Sequence, residues 1–262
     1  MLPALAAFGA AAIGAAFLKE RRKRATAERL GAAAMETLLN AVDANDSVTG
    51  AHVRRVAAVA LVLAEAAGLD EHQRRTVERV ALFHDIGKIH EALFDILHEA
   101  DTLTPEERSA VATHPKRGSA VLEPLEAFFP ELCNGVLAHH ERWDGTGYPR
   151  GVEGRRIPVA ARIVALADAY DAITHSRRYR TARSEETAID QILAGRGTQF
   201  DPELVDLFLS PPVLADITRA HKNAHRPRER RARRKQRRAR PAPNVTFRWR
   251  SARRGQQTAD SR

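Results

Sequence analysis

The sequence predicts an all-α fold, a bundle of helices closed around a polar centre. Three observations carry this reading. Apolar residues make up 44% of the chain but aromatics only 5%, so alanine and leucine supply most of the core, which favours helix over sheet. Apolar residues recur at three- and four-residue spacing, and no segment alternates at period two. Histidines and aspartates interrupt the apolar runs at intervals of one helix plus one connection.

The elements follow in chain order. Residues 1–18, MLPALAAFGAAAIGAAFL, carry no charged side chain, and KERRKR follows at once. The stretch approaches the roughly 20 residues a helix needs to cross a bilayer. Its positive flank lies on the carboxyl side, which argues for an anchor rather than a cleaved signal and leaves the body in the cytoplasm. Residues 1–24 are therefore expected to be an apolar helix that anchors the chain, with a basic flank. From Ala25 to about Ser210 the pattern is helical: AERLGAAAMETLLNAVDA, VRRVAAVALVLAEAAG, RRTVERVALFHDIG, TPEERSAVATH and RIVALADAYDAIT each place an apolar stripe on one face. Thr104 before Pro105, with Glu107 three positions on, reads as a helix start with a capping box. Residues 25–220 form one domain. The net charge of +9 is misleading for that domain. Residues 221–262 hold 16 Lys+Arg against 2 Asp+Glu, while residues 1–220 hold 26 against 31. The Arg-rich stretch from His221 is expected to be a disordered tail, and the body is mildly acidic. One cysteine, Cys133, excludes a disulfide framework and a cysteine-based zinc site.

The chemistry lies in the interruptions. His52 opens one apolar run. His84 and Asp85 sit in ALFHDIGK, His114 follows SAVAT, His139 and His140 follow VLA, and Asp168 sits in RIVALAD. An imidazole or carboxylate in an apolar environment is costly unless it is paired or coordinated. Seven such residues on five helices can meet at the centre of a bundle. Imidazole with carboxylate, and no thiolate, suits iron, manganese or zinc. Seven ligands are too many for one tetrahedral ion, and Asp85 has two oxygens with which to bridge two. The pattern reads as a two-metal hydrolytic site that activates water and clamps a phosphate.

HDIGK together with HHERWDGTGYP resembles the HD-GYP family of bacterial phosphodiesterases, a branch of the HD superfamily of metal-dependent phosphohydrolases. The blocks DANDSVTGAHVRRV, THPKRG, IPVAARIVALADAYDAITHSRRYR and GTQFDPELVDLF fall in the family's order between about Leu38 and Leu209. The resemblance implies an HD-domain-like bundle with one metal on His52, His84, Asp85 and Asp168. It implies a second metal on Asp85, His114, His139 and His140. Lys88 would meet the scissile phosphate as a point charge. Arg177 and Arg180 resemble the pair that contacts substrate. The loop holding Gly147, Tyr148 and Pro149 would lie beside the metals, contact substrate and offer a surface to partner proteins. Glu141 and Asp144 are expected to orient the loop or its neighbours rather than bind metal.

Two departures matter. Family members with a third metal place a glutamate four residues before the first histidine ligand, where this chain has Val48, so two divalent ions are expected, iron or manganese before zinc. The segment after Lys88 also differs, reading GKIHEALF where the family has a short proline-bearing turn, and His90 and His98 there read as exposed. The expected function is hydrolysis of cyclic di-GMP to pGpG, GMP or both. The alternatives are another cyclic dinucleotide or nucleotide as substrate, or a nucleotide-sensing module without turnover. The apolar stretch with its basic flank, in a chain that resembles a bacterial family, leads to an expected place at a bacterial inner membrane with the catalytic domain facing the cytoplasm, or in the cytoplasm if residues 1–18 do not span. Residues 1–24 and the basic tail are the expected membrane contacts, and nucleic acid is not an expected partner. The stretch from Thr26 to Ala44 is expected to pack on the body or on a second copy in a homodimer.

Overall fold

The computed structural model describes residues 17, 19–23, 26, 29–41, 47–89, 104–175 and 182–224. Helix α1 runs over 29–41. It is followed by α2 (Ser47–Ala66), α3 (Glu71–Phe83), a 3-10 turn (Ile86–Ile89), α4 (Pro105–Val111), α5 (His114–Leu122), α6 (Leu132–Ala138) and α7 (Val159–Thr174). Three more, α8 (Glu185–Ala194), α9 (Pro202–Leu209) and α10 (Pro211–Ala224), complete the described chain. Among the described residues there is no strand, only an isolated bridge between Arg196 and Phe200. The all-α expectation holds.

Local chemistry sets the helix boundaries. The capping box expected at Thr104 is present: its hydroxyl accepts from Glu107 N at 3.2 Å, and the Glu107 carboxylate accepts from Thr104 N at 2.7 Å. A second box stands at α3, where Asp70 accepts from Gln73 N at 2.8 Å and Gln73 accepts from Asp70 N at 3.0 Å. Each pair satisfies two backbone donors that a helix start leaves without partners.

The core gathers where α2 crosses α3, α7 and α10. Val56, Val59, Ala60 and Leu63 of α2 pack with Val77, Val80 and Phe83 of α3, and with Ile163, Val164, Leu166 and Ala167 of α7. Ile217 of α10 joins the same core and is fully buried. That last helix extends the body. The sequence reading ends the helical pattern near Ser210 and starts the tail at His221, whereas α10 continues to Ala224 and His221 is buried. The basic side chains that dominate the composition after His221 outweighed the apolar stripe that ends there.

Two further boundaries differ from the sequence reading. Helix α3 stops at Phe83, so His84 is its C-cap and Asp85 begins a turn rather than continuing a helix face. Helix α4 ends at Val111, and His114 opens α5 instead of closing the preceding helix. Residues 1–16 and 225–262, which carry the expected anchor and most of the basic tail, lie outside the described residues. Among the described residues no helix is long and apolar enough to cross a membrane.

Candidate metal centre

Helix ends build most of the site. The last carbonyls of a helix have no partner within it. His84 Nδ1 lies 2.8 Å from Ala81 O, His114 Nδ1 2.7 Å from Val111 O, and His139 Nδ1 2.6 Å from Val136 O. A carbonyl only accepts, so each Nδ1 carries a proton, and in the neutral imidazole the Nε2 presents a lone pair. A contact from each histidine to the carbonyl three residues before it thus fixes three tautomers at once. The fourth, His52 in mid-α2, donates Nδ1–H to Asp171 Oδ2 at 2.7 Å, which turns its Nε2 the same way.

The inward atoms fall into two adjoining groups. In the first, His52 Nε2 lies 3.3 Å from Asp168 Oδ1 and 3.8 Å from Asp85 Oδ2, and His84 Nε2 lies 3.5 Å from Asp85 Oδ2. In the second, His114 Nε2 lies 3.3 Å from Asp85 Oδ1 and 3.2 Å from His139 Nε2. The His140 ring stands 4.1 Å from that of His139 and 5.0 Å from that of His114, centre to centre. Asp85 therefore turns one oxygen to each group, as a bridging ligand would. All seven expected metal ligands come together, from within α2, α5 and α7 and from the ends and following turns of α3 and α6.

The donors fit divalent cations. With the Nδ1 protons held by carbonyls, His114 and His139 as neutral imidazoles face each other through Nε2 lone pairs, and two acceptors at 3.2 Å repel unless a cation lies between them. That separation matches adjacent ligands on one ion, about 3.0–3.4 Å for nitrogen bonded at about 2.0–2.1 Å. His84 Nε2 is buried with no hydrogen-bond partner. A buried polar atom left so is costly, and a metal ion relieves the cost.

Electrostatics divides the centre. Burial opposes charge on His52, but hydrogen bonds to Asp168 and Asp171 outweigh it and raise its pKa to about 9. The same negative field that favours a proton there favours a cation. Burial lowers the pKa of His84, and burial with neighbouring imidazoles holds His139 well below its ordinary value. Burial, with His114 and Lys88 nearby, lowers His140 to about 3. Burial alone would push the Asp85 carboxyl up, but the Lys88 charge and the surrounding histidines hold it well below the carboxylate range. Lys88 Nζ reaches both oxygens, at 2.7 and 2.8 Å.

Two glycines allow the close approaches. A Cβ on Gly87 would lie 2.1 Å from His114 O and 2.6 Å from Gly118 N, so the 3-10 turn bearing Lys88 seats on α5 only without a side chain. A Cβ on Gly147 would lie 2.3 Å from Arg142 N, so this glycine serves contact within the loop's own backbone. Tyr148 stacks on His140 at 4.9 Å, and a cis peptide joins it to Pro149. Glu141, expected to orient the loop, accepts from Arg150 N at 2.8 Å and Val152 N at 3.2 Å. Asp144 accepts from Thr146 N at 3.0 Å and from Arg142 Nη2 at 3.0 Å. A cavity of about 130 Å³ opens beside the centre, lined by His139, His140, Asp168, Arg142, Ala165 and Gln199.

Arg177, Arg180, His90 and His98 lie outside the described residues. The residue missed by sequence reasoning is Asp171, three positions after Asp168 on α7 and 1% exposed. The rule that singled out Asp168, an aspartate within an apolar helical run, applied equally to Asp171.

A helical domain that turns seven histidine and aspartate side chains onto one buried centre is a metal-binding domain of the hydrolase type. The chain belongs to the HD domain family, whose pattern matches residues 36–204, and its HDIGK and GYP blocks place it in the HD-GYP branch. It is 38% identical to the cyclic di-GMP phosphodiesterase response regulator RpfG of Xanthomonas campestris over 72% of this chain and 48% of that protein. It is 36% identical to 3'3'-cGAMP-specific phosphodiesterase 2 of Vibrio cholerae over 66% of this chain and 33% of that one. The chain thus spans a third to a half of the length of these relatives. Its fold resembles the crystal structure of a cyclic GMP-AMP-specific phosphodiesterase of Vibrio cholerae, with TM-score 0.52, 21% identity, and coverage of 73% of this chain and 52% of the other.

Proposed function

We propose that the chain is a metal-dependent phosphodiesterase that hydrolyses cyclic di-GMP to pGpG, GMP or both. The observation that carries this is Asp85 turning one oxygen to each of two ligand groups beside an open cavity. His52, His84, Asp85 and Asp168 would hold one divalent ion, and Asp85, His114, His139 and His140 a second, with iron or manganese favoured. Bound there, such ions supply activation of a water nucleophile and neutralisation of charge on a phosphoryl group. The chain's own residues do the rest. Buried His84 and His139 keep their lone pairs inward at neutral pH, because burial disfavours their protonation, and the half-buried His140 is held neutral in the same way. Lys88 is partly exposed on the site and sets a positive charge where phosphoryl oxygens gain negative charge. Tyr148, stacked on His140, shields that side of the centre from water, and burial raises its pKa to about 12, so it stays a neutral phenol.

The relative named for cyclic GMP-AMP favours a second reading, the hybrid cyclic dinucleotide as substrate. The anchor at residues 1–24, the basic tail as a membrane contact, the loop at Gly147–Pro149 as a partner surface and a homodimer remain part of the proposal. The uncharged stretch followed by KERRKR supports the placement at the cytoplasmic face of an inner membrane. The test is to load the full chain with manganese or iron and offer cyclic di-GMP and 3'3'-cGAMP separately, resolving products by chromatography. Faster release of pGpG or GMP from cyclic di-GMP supports the leading reading. Preference for the hybrid dinucleotide supports the second, and no hydrolysis of either overturns both.

A further inference from the structure

The metal centre extends into a helix that lies beyond the HD domain match at residues 36–204. Asp171 is the hub. Its Oδ2 accepts from His52 Nδ1 at 2.7 Å and from Arg55 Nη2 at 2.9 Å. Its Oδ1 accepts from Arg55 Nε at 2.5 Å and from His221 Nε2 at 2.7 Å. A carboxylate offers about four lone-pair directions, and these four bonds use them. His52, Arg55, Asp171 and His221 are all buried, at 8%, 6%, 1% and 5% exposure. Asp171, His175 and His221 lie close enough to suggest a third metal site. The Arg55 fork already neutralises that carboxylate, and its oxygens are committed, so the cluster reads as a clamp.

We infer that His221, at the end of α10, is a positioning residue for the metal centre: it locks Asp171, which in turn aims His52 Nε2 at Asp85 and Asp168. The inference rests on the centre's being a divalent-metal site, and not on which nucleotide is cleaved. Helix α10 has other anchors. Ile217 is in the core, and Thr218 donates to Glu185, which also accepts from Tyr170. Loss of the His221 donor therefore leaves the helix seated while loosening Asp171.

The test is a manganese titration of the metal-stripped full chain, followed calorimetrically, for wild type, His221→Leu, His221→Gln, Arg55→Lys and Thr218→Val. His221→Leu keeps bulk without a donor, and His221→Gln restores an N–H near the position of Nε2. Outer partners of metal ligands are typically worth about 10–100-fold in affinity. For His221→Leu the expected result is one of two ions bound about tenfold more weakly, the other unchanged, at the lower end because the residue acts through Asp171. His221→Gln and Thr218→Val should bind as wild type does. If His221→Leu does not fold, Arg55→Lys carries the test, since it replaces the fork on the same carboxylate with a point donor and should weaken the same ion. Unchanged affinities in His221→Leu, equal weakening of both ions, or a His221→Gln variant no better than His221→Leu would overturn the inference. A wild type that binds no manganese would instead overturn the metal-centre reading beneath it.

Discussion

Lys88 and His140 show how one residue's surroundings decide its part. Lys88 contacts both oxygens of Asp85 but is no ligand, so its removal should spare the metal and cost the reaction. Lys88→Ala is expected to retain its metal content while kcat falls about 10²-fold, as when one donor to developing charge is lost. Parallel metal analysis and initial rates check this, and loss of metal in the variant would reassign Lys88. The two histidine types also set opposite pH dependences in chelated protein. His140 is lowered to about 3, against about 6.5 unfolded, so its contribution is present above about 6.5 and lost as pH falls toward 3. His52 is raised to about 9, so its contribution is present below about 6.5 and lost as pH rises through 9. Stability of the chelated chain should therefore peak near pH 6.5 and fall on both sides. Urea melts at pH 5, 6.5 and 9 measure it, and a His140→Ala variant should lose less stability from pH 6.5 to 5 than the unmutated chain. At this scale the sequence was informative, because His and Asp in apolar runs are rare enough to stand out. Asp171 met the same criterion, but its partners His52 and Arg55 lie 119 and 116 positions away and only the fold joins them.

Between residue and fold stands the helix end. Three of the proposed ligands, His84, His114 and His139, satisfy carbonyls left over by the helix turn before them, so the end of the helix both aims the imidazole and fixes a proton at its Nδ1. The sequence pattern located these helices but not their ends, because apolar periodicity runs on through ALFHDIG while the chain turns after Phe83. The contact between the 3-10 turn and α5 is similarly invisible in sequence, although Gly87 was its trace. Gly87→Ala would put a methyl group against the backbone of His114 and Gly118, with no side chain able to give way. The variant is expected to lose about 1–3 kcal/mol of stability in denaturant melts. It should also bind less metal at the group containing His114, because Asp85 and His114 are pushed apart. Wild-type stability together with full metal content would contradict this account of the turn.

Among the described residues, a large buried core with a smaller cluster beside it positions five helices, and their ends and faces supply a centre that no single segment could form. The all-α class and the seven side chains that converge on the centre were legible because both leave local marks, periodicity and out-of-place polar residues. The last helix was not, because the charge that begins with the tail masked an amphipathic run ending on His221. The measurement closest to the central claim is metal stoichiometry and cyclic di-GMP turnover on one preparation of the full chain, beside Asp85→Ala. Asp85 is the residue that the two proposed ligand sets share, so the account predicts about two ions per chain with turnover in the wild type. It predicts both ions weakened and turnover lost in the variant. An Asp85→Ala chain that keeps two ions and hydrolyses cyclic di-GMP at the wild-type rate would contradict the bridged centre.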